Sequence, residues 1–258
     1  KTIDNDLVEN DHTPGFITAA QFVAGAFAGA DLDFRSLPGV YVGIVMGRHA
    51  GFLTAASAAW RMDADSAPHL VYVPERAFDR ERFVDSVRLV MRRHHRCIVA
   101  MSEGVSDGSG RSMVETLVPP EMLERDPHGN VRLSGTDLGQ AIERILAEDL
   151  PNARSRVDTF GYLPRSHAGV LNETDRLEAY DAGRFAVAQV EGGSCSVALQ
   201  FDGKGTMAVR VPLDAVSGKT RHMPAEFLMP HEDQVSQACL DYLRRLLPPA
   251  PDLSKPFT

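Results

Sequence analysis

The chain has 258 residues, 43% hydrophobic and 24% charged, enough apolar mass for one large or two modest globular cores and too much for a disordered polymer. A formal net charge of −8 excludes a broad nucleic-acid surface, because the summed field repels a polyanion; any bound phosphate must be met by a local group of Arg or Lys. No stretch of about 18 apolar residues exists to cross a membrane, and Cys97, Cys195 and Cys239 form an odd set without metal-ligand spacing, which suits a reducing, cytosolic compartment.

The opening run Lys1-Thr2-Ile3-Asp4-Asn5-Asp6 sets a cation, a hydroxyl and carboxylates around one apolar residue. Phosphoryl transfer to a hydroxyl needs such a set: a base for the nucleophile's proton, a carboxylate to organise a metal, and a cation for the charge on the transferred group. A polar turn with an Asx cap has the same composition, so the run alone does not choose. The chain starts on Lys1 directly at this segment and reads as a portion of a longer product.

Val40–Val45, Leu70–Val73 and Cys97–Met101 are nearly continuous apolar runs, which predicts parallel strands covered on both faces. They give way to Met46-Gly47-Arg48, Pro74-Glu75 and Ser102-Glu103-Gly104, and open α/β sheets bind ligands beyond the carboxyl ends of their strands. The first turn leads into small residues, predicting free amides at a helix N-terminus with Arg48 as a phosphate ligand; a glycine turn with a surface Arg is the competing reading. Glu103 offers an acceptor to sugar hydroxyls or simply closes a strand-end turn.

Phe83, Val84, Val87, Val90 and Met91 recur at helical spacing and predict a helix over 79–93 with Asp79 as N-cap. Arg92-Arg93-His94-His95-Arg96 then reads as cations complementing that helix's C-terminus rather than as a ligand site. Residues 104–135 lose periodicity and read as a long loop within a domain. Leu138, Ala141, Ile142, Ile145 and Leu146 predict a helix over 136–150, capped by Thr136 or Asp137.

Within 154–166, Arg156 and Arg165 flank the aromatic hydroxyl of Tyr162, a pattern that fits a phosphate clamp or an ordinary surface. A further helix is expected from about 174 to 190, closed by Gly192-Gly193. Ser196–Phe201 and Thr206–Val211 flank Asp202-Gly203-Lys204-Gly205, a hairpin signal, and 248–258 is a proline-rich tail. His12 and His49 are polar or functional, without metal spacing. Alternating strands and helices place the chain in the α/β class.

Taken in order, Lys1–Asp6, Asp11–Phe16, Met46–Gly51, Pro74-Glu75, Ser102–Gly104, Gly161–Ser166 and Asp175–Val187 resemble the phosphofructokinase family, most closely its pyrophosphate-dependent branch, over nearly the whole chain. The resemblance implies a phosphofructokinase-like α/β fold of two Rossmann-like three-layer domains with parallel-rich sheets, the N-terminal part of the first being absent. It divides the chain into 1–15 and 164–220, the remainder of a larger phosphoryl-donor domain, and 16–163 and 221–258, a smaller fructose 6-phosphate domain. It also implies transfer from pyrophosphate to the 1-hydroxyl of fructose 6-phosphate with Mg²⁺, without nucleic-acid or membrane partners. An ATP-dependent relative and a non-catalytic sugar-phosphate-binding subunit are the alternatives.

By resemblance, Asp4 is the general base and Lys1 stabilises the transferring group. Lys1 also marks pyrophosphate as donor, since ATP-using relatives generally carry Gly there. Thr2, Ile3, Asp6, Met46, Gly47, Arg48, Glu103, Tyr162 and Arg165 bind substrate, with Asp6 helping to hold the metal indirectly. Arg156 reaches the substrate of a neighbouring subunit, which implies a homodimer or homotetramer. Pro164 stands where the family usually has Gln and removes a backbone donor from the site.

Overall fold

The computed structural model describes residues 2–63, 65–119, 123 and 135–252. The expected apolar runs form strands β1 (Gly39–Val45), β2 (Leu70–Tyr72) and β3 (Arg96–Ser102). With the edge strand β4 (Ser155–Thr159) they make a four-stranded parallel sheet in the order β2-β3-β1-β4. Alternate side chains divide between two cores. Val40, Val42 and Ile44 of β1 and Cys97, Val99 and Met101 of β3 point to one face, and Tyr41, Val45, Ile98 and Ala100 to the other.

Helices α3 (Arg80–His94) and α5 (Gly135–Asp149) cover the first face through Phe83, Val84, Val87, Leu138, Ile142 and Leu146. Asp79 caps α3 as expected, its Oδ1 accepting from the Arg82 amide at 2.7 Å, and the basic run ends that helix with His95 in the left-handed region. Asp137 lies in the first turn of α5, while the Thr136 side chain, the other expected cap, lies outside the described residues. Helices α1 (Phe16–Phe34) and α9 (Gln237–Leu246) cover the second face. The result is helix, sheet, helix in three layers, the expected α/β architecture.

Several elements were not foreseen. Helix α1 buries Phe16, Ile17, Ala20, Val23, Ala24 and Phe27 on one side, but the positions between them, Phe22, Ala26 and Ala28 among them, are apolar too, so the stripe does not stand out along the sequence. Part of the expected 104–135 loop is ordered into α4 (Met113–Leu117), which buries Met113 and Val114. The helix after the Met-Gly-Arg turn is a single turn, α2 (Phe52–Ala55).

A second group of elements lies beside the sheet. Helix α7 (Glu173–Ala188) packs on the antiparallel pair β5 (Ser196–Phe201) and β6 (Thr206–Val211), in the register expected of the hairpin. The segment before α1 lies along β5: Asp11 N donates to the Leu199 carbonyl at 2.8 Å, and Leu199 N donates to Asn10 Oδ1 at 2.8 Å. The two groups are joined by a cap made in trans. Asp175 of α7, 3% exposed, accepts from Gly15 N at 2.6 Å and Thr18 N at 2.9 Å, the first free amides of α1.

Candidate active site

Because the strands are parallel, the loops after β1, β2, β3 and β4 emerge on one edge, with Val45 beside Ser102, Tyr72 beside Met101 and Ile44 beside Thr159. The turns 46–48 and 103–104 are fused by backbone contact. Ser102 Oγ donates to the Gly47 carbonyl at 2.6 Å, and Gly47 N approaches Glu103 Oε1 at 3.4 Å. A Cβ on Gly104 would stand 2.1 Å from the Arg48 carbonyl oxygen, so only glycine fits there.

The segment Thr2–Asp6 crosses this edge. Ile3 is buried in the core, so any contact it makes with substrate runs through its main chain; this narrows the expectation drawn from the resemblance. Thr2 is held by Thr13, whose hydroxyl donates to its carbonyl at 2.6 Å, and Thr2 Oγ1 accepts from Asp4 N at 3.1 Å. Asp4 Oδ1 is buried with no hydrogen-bond partner among the described residues.

Burial raises the pKa of Asp4 above the ordinary carboxylate value and Asp6 adds to the rise, while Arg165, His49 and Arg48 pull it down. Glu103 is likewise raised by burial; the Gly47 amide lowers it, Asp4 raises it and Arg48 lowers it. These couplings bring Asp4, Asp6, Arg48, His49, Glu103 and Arg165 into one electrostatic cluster, although the chain scatters them over more than 160 positions.

Other expected residues fall around this cluster. Tyr162 is exposed beside Arg165, whose guanidinium carbon lies 5.4 Å from its ring centroid. Pro164 sits in the first turn of α6 (Leu163–Ser166), where an amide has no helical partner, so its missing N–H costs the helix nothing. Met46 packs partly against the core. Arg156 stands on the edge strand, in register with Tyr41 of β1 and 3.9 Å from Asp158 Oδ1. Lys1 lies outside the described residues.

One expectation is corrected. The amide of Gly51, at the start of α2, is not free for an anion, because the Glu75 carboxylate accepts it at 3.0 and 3.1 Å. Burial raises the pKa of Glu75, which also accepts from Met223 N at 2.8 Å. His12 belongs to the structural interior instead, fully buried with Nε2 2.6 Å from Glu178 Oε2. Among the described residues no group of three or more His, Cys, Asp or Glu could hold a metal, and no helix is long and apolar enough to cross a membrane.

The sequence profile described as Phosphofructokinase matches residues 1–190. The chain belongs to the phosphofructokinase family. It is 48% identical over 96% of its length to the pyrophosphate--fructose 6-phosphate 1-phosphotransferase of Rhodospirillum rubrum, covering 62% of that protein. It is 30% identical over 96% of its length to the protein of the same name from Methylococcus capsulatus, covering 59% of it. The fold matches a crystal structure of pyrophosphate-dependent phosphofructokinase from Marinobacter aquaeolei with a TM-score of 0.79 at 26% identity, covering 98% of this chain and 61% of that one. The chain thus spans about three fifths of the length of the family members it matches.

Proposed function

We propose that the protein moves a phosphoryl group from pyrophosphate to the 1-hydroxyl of fructose 6-phosphate, giving fructose 1,6-bisphosphate in a reversible reaction, and that this chain supplies the base and the sugar-phosphate side. The observation that carries this reading is the buried, unpartnered Asp4 Oδ1 set among Arg48, His49 and Arg165. A carboxylate held above its ordinary pKa is a stronger base, and neighbouring cations at the ends of β1 and β4 suit a sugar phosphate. The names of the matched relatives agree with it.

In this reading Asp4 takes the proton of the 1-hydroxyl as that oxygen forms a bond to phosphorus. The bond from phosphorus to the bridging oxygen of pyrophosphate breaks, and inorganic phosphate leaves. Arg165 and Tyr162 hold the sugar phosphate with Met46, Gly47, Arg48 and Glu103, while Thr2 and Ile3 shape the base loop. Lys1 steadies the transferring group. Mg²⁺ would neutralise the phosphate oxygens; it commonly takes only one or two carboxylates together with substrate phosphates, and Asp6, beside the base Asp4, would help to hold it indirectly.

The same reading takes 1–15 and 164–220 as the donor side and 16–163 and 221–258 as the sugar side. Hydrogen bonding of residues 10–11 to β5 and packing of Met223, Cys239 and Leu243 into the sheet's core support that division. Exposed Arg156 is assigned to a neighbouring subunit's substrate in a homodimer or homotetramer, in the cytosol.

The test is phosphoryl transfer by the full-length protein with each donor. Activity with pyrophosphate is expected, and activity with ATP alone would overturn the donor assignment. Asp4→Asn should lower kcat by about 10²–10⁴-fold with little change in sugar-phosphate binding.

A further inference from the structure

Three successive residues beyond α8 (Leu213–Val216) touch three loops far away in sequence. Arg221 donates its backbone N–H to the Asp6 carbonyl at 2.7 Å. Its guanidinium donates to the Asp11 carbonyl at 2.9 Å and to Asn5 Oδ1 at 3.3 Å, with its carbon 4.5 Å from the Phe52 ring centroid. His222 Nδ1 donates to the His49 carbonyl at 2.8 Å. Met223 N donates to Glu75, the carboxylate that also holds Gly51. The base loop, the sugar-phosphate turn and the Pro-Glu turn are therefore stitched together by one short strap.

Asn5 is the point of closest control. It is fully buried and adopts φ 63, in the left-handed region, which Asn tolerates better than most residues and which its hydrogen-bond partners hold in place. Both ends of its side-chain amide are bound: Oδ1 accepts from Arg221, and Nδ2 donates to the Tyr242 hydroxyl at 2.8 Å. Tyr242 in turn donates to the Asp11 carbonyl at 2.8 Å, the oxygen that Arg221 also holds. Asp4 and Asp6 flank Asn5, so the conformation of Asn5 sets the direction of both carboxylates.

The geometry points to Arg221 as a positioning residue that acts through Asn5 and Asp6 to hold the Asp4 loop at a fixed distance from the 46–51 turn. Its effect on turnover rests on the phosphotransfer reading above; its effect on the loop does not. Arginine suits the place because Nη1 reaches both the Asp11 carbonyl and Asn5 Oδ1 while the planar face of the guanidinium lies on the Phe52 ring, a stacking that the compact charge of lysine does not reproduce.

In the full-length protein, Arg221→Met keeps a stem over Phe52 and removes the guanidinium's hydrogen bonds. Because small misplacement of reacting groups is costly, kcat should fall about 10–100-fold, while KM for fructose 6-phosphate changes by less than about threefold. Amide hydrogen exchange without substrate should accelerate in residues 2–7 and stay unchanged in β1 and β3. Arg221→Lys should recover part of both readouts. Tyr242→Phe, which deletes one hydroxyl of the same web, stands in if Arg221→Met does not fold, and should show the same two changes. A folded variant with wild-type kcat and unchanged exchange in residues 2–7 overturns the assignment. If the wild-type protein transfers no phosphoryl group, the phosphotransfer reading fails while the exchange comparison still decides the strap.

Discussion

Removing the Asp175 carboxylate should loosen α1 from its N-terminal end. The carboxylate is almost wholly buried and accepts from Gly15 and Thr18 amides at 2.6 and 2.9 Å, supplying from α7 the cap that α1 lacks locally, since Gly15 has no side chain to provide one. Two amides stripped of a charged acceptor cost about 1–3 kcal/mol each, and water reaching the half-buried Gly15 and Thr18 recovers part, so Asp175→Ala should cost about 2–4 kcal/mol. For a protein of this size that is a fall in Tm on the order of 5–10 °C. Asp175→Asn keeps one acceptor but not the charge and should cost about half as much. Thermal unfolding followed by circular dichroism measures the shift, and hydrogen exchange should place the loss in the first turns of α1. An alanine variant within about 0.5 kcal/mol of wild type would show that the cap is not what anchors this helix, and the reasoning would fail.

Gly104→Ala would drive a Cβ to 2.1 Å from the Arg48 carbonyl oxygen and 2.6 Å from that of Gly47, both backbone atoms, so the sugar-phosphate turn must move. Steady-state kinetics should show KM for fructose 6-phosphate raised by roughly tenfold or more; an unchanged KM would mean the turn absorbs the methyl group. His69 is kept neutral by burial, with its pKa lowered to about 4 from 6.5. The unfolded chain then binds a proton that the folded one refuses, so stability present above pH 6.5 is lost as the pH falls towards 4, by at most about 3 kcal/mol. Tm measured across that range should slope upward with pH, and His69→Asn, whose side-chain oxygen can still accept from the Ile98 amide as His69 Nδ1 does at 3.0 Å, should flatten the slope.

Much of the fold was legible along the chain. The runs at 40–45, 70–73 and 97–101 became β1, β2 and β3 because strands covered on both faces are apolar without interruption, and Asp79 capped α3 as its side chain predicted. Strand β4 carries no such signal, because an edge strand needs to bury only alternate residues, and Ser-Arg-Val-Asp-Thr has little to bury. Helix α9 carries a usable signal in Cys239, Leu243 and Leu246, spaced for one face, although the prolines that follow it mask the pattern.

For the site, the sequence by itself determined which chemical groups are available: Asp4 and Asp6 in one short run, Arg48 and Glu103 at strand ends, Arg165 beside Tyr162. Those assignments depend only on residue type and local spacing. Tertiary structure alone decided that these groups share one edge of a parallel sheet, that Glu75 occupies the Gly51 amide, and that Arg221 and Tyr242 hold Asn5. The partners in that last web are 216 and 237 positions apart, and hydrogen bonds over such separations leave no periodicity in the sequence, because what brings the groups together is the packing of the layers between them.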